Sequence, residues 1–268
     1  MNLLSVFSLI LAVVVLGVAI FTASNNPRSF LDWHGLLVVL GGTFAAAAVS
    51  IQLDKVFLLI KIYIDRTIRG RKIDYQKVTR QLMILADMIR KEDPEISNAV
   101  KDLKDPFMRD ALELVLDDSL EKDSIVKVLY QRSNTVFERY HLDASRFKGL
   151  GKYPPAMGLL GAVTGMIALL GGLGKPGAEK TMGPAMSIAL VATLYGIALA
   201  NFFIVPIGES LMDSAKEMKR KNEIIIHGVK LILDDTNPVL MEEELNSFLL
   251  PSERIDRKKI SGGKQAVA

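Results

Sequence analysis

Two glycine-lysine runs, Gly149-Leu150-Gly151-Lys152-Tyr153 and Gly171-Gly172-Leu173-Gly174-Lys175-Pro176, have the composition of a loop that cradles phosphate. Such a loop needs a leading glycine at a set distance and a Ser or Thr after the lysine to hold magnesium, and neither run has them. The three histidines, His34, His141 and His227, lie far apart with no carboxylate spacing suited to a metal. The chain has no cysteine, so thiolate catalysis, disulfides and zinc–sulfur sites are out of reach. No enzyme, no cofactor and no metal are therefore expected. The net charge is +3, with acids and bases interleaved as in Lys91-Glu92-Asp93 and Lys101-Asp102, which is not a nucleic-acid footprint.

The chemistry that remains is in long apolar runs. Leu3 to Ala23, Leu36 to Ile51, Pro154 to Leu173 and Pro184 to Pro206 each suit a bilayer crossing, and none has an ionisable residue in its middle. Asp32, His34 and Glu209 stand only at edges. Proton relays and ion-coupled carriers keep such a group at depth, so this chain would need a partner helix to bring the carboxylate. Gly158, Gly161 and Gly165 admit the close approach of another backbone, either the partner's or the chain's own. Pro155, Gly158, Ala162 and Met166 fall on one helical face by their offsets. Thr193 and Tyr195 are among the few polar groups of the fourth run, although Thr193 can also bond its own preceding turn.

These residues are positioned by an all-α integral membrane fold: four transmembrane helices with a helical cytoplasmic domain inserted between the second and third. The expected divisions are 1–51 for helices 1 and 2, 52–153 for the insert, 154–206 for helices 3 and 4, and 207–268 for C-terminal helices and a disordered tail. A secretion signal is the competing reading of Leu3 to Ala23, but no small-x-small cleavage site follows it. Of the 33 Lys and Arg, twenty lie in 52–153 and ten in 207–268, leaving Arg28, Lys175 and Lys180. Both charged regions, and both termini, are thus expected on the cytoplasmic side. Within the insert, apolar spacing predicts a helix over Tyr75 to Lys91, Asp105-Pro106 opens another, and Asp123-Ser124 caps a third. After the fourth span a charged helix continues, and Asn237-Pro238 opens a short last helix through Leu249.

The runs Pro155-Ala156-Met157-Gly158-Leu159-Leu160-Gly161, Gly183-Pro184-Ala185-Met186, Ala192-Thr193-Leu194-Tyr195-Gly196 and Pro206-Ile207 closely resemble the signature of the motility protein A family, the flagellar stator subunits called MotA and PomA. Val39-Leu40-Gly41-Gly42, Arg90-Lys91, Phe107-Met108 and Glu138-Arg139 extend the likeness over about residues 1 to 250. The resemblance implies a homo-pentamer around a B-type stator subunit, whose single transmembrane helix supplies the essential aspartate and which binds peptidoglycan. It also implies the rotor protein FliG as partner, and residence in the bacterial cytoplasmic (inner) membrane. By the same resemblance Pro155 and Pro206 take the two conformational-coupling positions, and Pro155, Ala162, Ala192 and Thr193 the ion pathway. Arg90 and Lys91 face the rotor, with Asp102 and Asp105 as candidate acids, since Ile96 to Asp105 departs from the family pattern. Gly158, Gly161, Gly165 and Tyr195 are expected to pack helices.

Sodium-driven members carry hydroxyls at the positions of Ala162 and Ala192. Methyl groups offer a dehydrated sodium ion no oxygen, so a proton is the expected ion and sodium the alternative. Rival readings are an ExbB- or TolQ-like energiser, which has one span ahead of its cytoplasmic domain, and a stand-alone channel or carrier.

Overall fold

The computed structural model describes residues 3–23, 27–51, 53–69, 73–117, 120–174 and 176–256. The expected disordered tail and Lys175 lie outside them. Every regular element among the described residues is helical. The helices are α1 (Leu3–Ala23), α2 (Trp33–Ser50), α3 (Leu53–Arg69), α4 (Tyr75–Arg90), α5 (Ile96–Lys101), α6 (Pro106–Leu116), α7 (Lys122–Gly149), α8 (Tyr153–Gly172), α9 (Ala178–Leu199), α10 (Val205–Leu233) and α11 (Pro238–Asn246).

Three helical stretches are long and apolar enough to cross a membrane: Trp33–Ser50, and one window each within Lys122–Gly172 and Met182–Leu233. Val13–Thr22, inside α1, is a shorter apolar run. Exposed side chains such as Val14, Val15, Val18 and Phe21 cover α1, as suits an apolar solvent and not water.

The chain divides into two compact units, 1–71 with 141–213, and 72–140 with 214–268. In the first, α8 packs along α9, and α2 lies against both. Small residues make this possible: Gly35, Gly158, Gly161, Gly165, Ala189 and Ala192 all fall on the buried sides. Asp32 caps α2 by accepting from the Gly35 N–H, which satisfies one of the unpaired donors of the first turn. A second cluster joins Ala47 and Ile51 at the end of α2 to Leu59, Ala144, Phe147, Leu150 and Leu211.

Between α9 and α10 the backbone passes through a π-helical turn, Ala200–Ile204, where the Val205 N–H reaches the Ala200 carbonyl five residues back. Pro206 stands just beyond it. Proline has no N–H and its ring crowds the carbonyl four residues earlier, so a wider turn at this point relieves both defects. Asn201 Nδ2 donates to the Ile197 carbonyl at 3.0 Å, taking up one of the loosened acceptors.

The second unit is a water-type helical domain. Leu82, Leu85, Met108, Leu112, Leu129, Ile224, Ile225, Ile226 and Leu245 are fully buried in one cluster. Asp74 caps α4, Asp105 caps α6 with Pro106 in the first turn, and Asn237 caps α11 with Pro238. All three starts agree with the sequence reading. The start of α7 does not: the helix begins at Lys122, and Ser124 and Ile125 donate to the Glu121 carbonyl, so Asp123 sits inside the first turn and not at the cap. There its carboxylate favours the positive end of the helix. The buried amide of Asn246 pins the chain end, exchanging two 2.8 Å bonds with Ile255.

Candidate functional site

The glycines of α8 form a seam that is already occupied. A Cβ on Gly158 would lie 2.8 Å from the Ala192 carbonyl oxygen, one on Gly161 2.7 Å from Ala192 Cβ, and one on Gly165 2.9 Å from Ala189 Cβ. Since real Cβ atoms do not approach this closely, the three positions need glycine so that α9 can lie against α8. The close approach expected of these glycines is therefore made within the chain, and their face is not open to a partner helix. Gly196 answers from the other side, where a Cβ would stand 2.4 Å from the Pro154 carbonyl oxygen.

Ala192 is fully buried between Gly35 of α2 and Gly158 and Gly161 of α8. Its methyl group fills the seam, so the placement of Ala192 beside an ion path is corrected: nothing larger than methyl fits, whichever ion is carried. Ala162 is half-buried, next along α8 from Gly161. Thr193 is half-buried as well. Its hydroxyl has two carbonyls in reach, Ala189 at 3.3 Å in its own helix and Gly158 at 3.4 Å across the seam. Both bonds are long, so the group is held loosely and can turn to a third acceptor. Thr164, by contrast, donates to Gly161 at 2.9 Å within α8 and stands exposed.

Pro155 stands half-buried in the first turn of α8, facing Gly196, and Pro206 in the first turn of α10. Each interrupts the donor ladder where two helical segments join. Tyr195 ties the far end: its hydroxyl donates to the Phe30 carbonyl and accepts from the Asp32 N–H at 3.2 Å. That link spans more than 160 residues and left no signal in the sequence. Among the described residues no group of histidines and carboxylates could hold a metal ion.

The charged candidates separate into two kinds. Arg90 is held in place: it donates to the Thr236 carbonyl at 2.7 Å and faces Asp87 at 3.4 Å and Asp235 at 3.5 Å, with its side chain 29% exposed. The carbonyl belongs to the turn after α10, where Asp235 takes a positive φ of 46°. Asp105 is likewise engaged, accepting from the Phe107 and Met108 N–H groups and from Lys221 Nζ. It is thus corrected from a free surface acid to a cap that also neutralises a lysine only 12% exposed. Lys91 and Asp102 are exposed at the ends of α4 and α5. Sequence reasoning missed Gly35, Gly196 and Lys221; of these only Gly35 carried a signal, three residues after a capping Asp.

Residues 99–224 match the family model described as the MotA/TolQ/ExbB proton channel family. Over 236 residues the chain is 28% identical to "Motility protein A" of Borreliella burgdorferi, covering 88% of this chain and 89% of that protein. The structure of the flagellar MotAB stator complex from Bacillus subtilis superimposes with a TM-score of 0.82 at 25% identity, over 93% of this chain and 97% of that one. The structure of C. jejuni MotAB gives 0.84 at 24% identity over 96% and 100%, a likeness of fold. The family resemblance read from the Pro155–Gly161 and Ala192–Gly196 motifs is the one these matches return. They support a flagellar stator subunit, a membrane protein of the proton channel family.

Proposed function

We propose that this chain is the A subunit of a proton-driven rotary stator, which encloses a B-type subunit and pushes the flagellar rotor. The observation that carries this reading is the apolar α8–α9 seam, closed by backbone contact and without an ionisable side chain from Tyr153 to Gly172 and from Pro184 to Pro206. A proton path through such a chain needs a carboxylate from elsewhere. A partner helix with an aspartate supplies it, and this chain supplies the walls, so it has no enzymatic step of its own.

In this reading α1, α2, α8 and the stretch Pro184 to Pro206 are the four spans. Residues 52–153 form the cytoplasmic insert, 207–268 follow on the same side, and both termini face the cytoplasm of a bacterial inner membrane. Five copies ring the partner. Pro155 and Pro206 let the spans shift as the partner's aspartate changes charge. Thr193, with its two long hydrogen bonds, orients water on the path. Ala162 adds no oxygen there, which favours a proton over a dehydrated sodium ion. Lys91 and Asp102 face the rotor protein FliG, while Arg90 and Asp105 hold the surface that carries them.

Co-expression with a B-type subunit lacking its plug should acidify cells, and the chain alone should not. Proton leak from the chain alone overturns the reading. So does swimming that persists on external sodium after the proton gradient is discharged.

A further inference from the structure

α3 carries apolar residues on two sides, and only one has a partner in the chain. Val56, Leu59, Ile60 and Tyr63 turn onto Ala47, Ile51, Phe147 and Leu211. Phe57, Leu58 and Ile64 stand 63, 53 and 45% exposed on the opposite side. Phe57, Lys61 and Ile64 share a face by their offsets of four and seven, flanked by Leu58 and by Asp54 in the first turn. This is the pattern of a helix lying in an interface plane, with large apolar groups and a snorkelling lysine on one stripe.

Position selects the occupant. Only Ile51 and Gln52 separate α3 from α2, an apolar helix of 18 residues long enough to cross a membrane. Leu59 shares its cluster with Ala47 and Ile51 from the last turn of α2, so the middle of α3 lies beside the end of that helix. The charges nearby leave a basic excess. Lys55 meets Asp143 at 3.2 Å, Arg146 meets the same acid at 3.9 Å, and Lys148 meets Glu209 at 3.0 Å, with Lys61 and Lys152 exposed besides. Asp54, at the helix start, is the one acid on the outer face itself and sits where the helix N-terminus favours it.

We propose that the outer face of α3 docks on the lipid surface. Phe57, Leu58 and Ile64 enter the boundary between headgroups and acyl chains, and Lys61 reaches anionic headgroups. The inference rests on the chain being a membrane protein and not on its being a stator, so a failure in the flux experiment leaves it standing.

The cysteine-free sequence allows a direct test. Single nitroxides would be placed at Phe57→Cys and Ile64→Cys in the full chain, reconstituted into phosphatidylcholine vesicles with or without phosphatidylglycerol. Val14→Cys serves as an apolar reference and Val136→Cys as a water-exposed one. At positions 57 and 64 collisions with oxygen should exceed those with a water-soluble nickel chelate, as at 14 and opposite to 136. The contrast should grow several-fold with phosphatidylglycerol and lose that growth in Lys61→Glu. Nickel-dominated collisions at 57 and 64 overturn the proposal, because the face is then in water. An immobile label shielded from both reagents overturns it too, because a second copy or another protein then covers the face. Equal contrast in both vesicle types refutes the part assigned to Lys61.

Discussion

Gly196→Ala should separate backbone contact from ordinary side-chain packing in the α8–α9 seam. The added Cβ would stand 2.4 Å from the Pro154 carbonyl oxygen, 2.9 Å from its carbon and 3.1 Å from Pro155 Cα. Carbon contacts are comfortable at about 3.5–4.0 Å, so the helices must part by about 1 Å. The obstacles are main chain at two consecutive prolines with fixed φ, and no rotamer change relieves them. Overpacking costs about 1–3 kcal/mol, and a rigid obstacle puts this case near the top of that range. Alanine's advantage over glycine within a helix returns about 1 kcal/mol, leaving a net loss of about 2 kcal/mol. Two substitutions in α2 calibrate the figure. At Gly42 the new methyl would meet Met157 Sδ at 2.5 Å, a flexible end that can swing away, so repacking and propensity should roughly cancel. At Gly41 nothing lies within 4 Å, and the full gain of about 1 kcal/mol is expected. Thermal unfolding of the purified protein in one detergent should therefore rank Gly41→Ala above wild type, Gly42→Ala level with it, and Gly196→Ala clearly below. A Gly196→Ala protein that melts at or above the wild-type temperature would refute the seam as described.

Asp105→Ala removes the cap of α6 and strands Lys221. The loss should fall near 3 kcal/mol, between about 1 for a cap alone and about 3–5 for a fully buried pair, since the partners are 23 and 12% exposed. Urea unfolding should show it, and Asp105→Asn should recover the cap part only. Arg90→Glu places a carboxylate between Asp87 and Asp235 and leaves the Thr236 carbonyl unmet. A fall in stability of about 1–2 kcal/mol is expected, while unchanged melting with lost swimming would return Arg90 to a purely rotor-facing role. Thr193→Ala should change the unfolding free energy by less than about 1 kcal/mol, because its bonds are long, yet lower proton flux in co-expressing cells. Wild-type flux would remove Thr193 from the path.

Helix starts were the most legible part of the sequence, because a cap is written within three or four residues. Asp105-Pro106 and Asn237-Pro238 both begin helices where local chemistry places them. What a cap does besides capping was not legible: the partner of Asp105 is Lys221, 116 positions away. The glycines of α8 posed a subtler difficulty. Their spacing demands a close neighbour without saying whose, and the complementary small residues Ala189, Ala192 and Gly196 are informative only once α9 is known to lie opposite. Arg90 shows the limit of motif transfer, since a residue can sit at the matching position and still spend its hydrogen bonds on its own fold.

The π-helical turn at Ala200–Ile204 makes the stretch from Ala178 to Leu233 a rod with a phase step in it. A π turn carries one residue more than the α-helix it replaces, and one residue is about 100° of rotation. Side chains from Gly208 onward are thus aimed about a quarter-turn away from where an unbroken helix would send them. Deleting a single residue from this turn would give a more regular backbone and a worse protein, for Leu211, Ala215 and Ile225 would all swing off their buried stripe together. An alignment gap of one position between relatives in this stretch would carry the same meaning: a change of aim for everything downstream, written as the loss of a single letter.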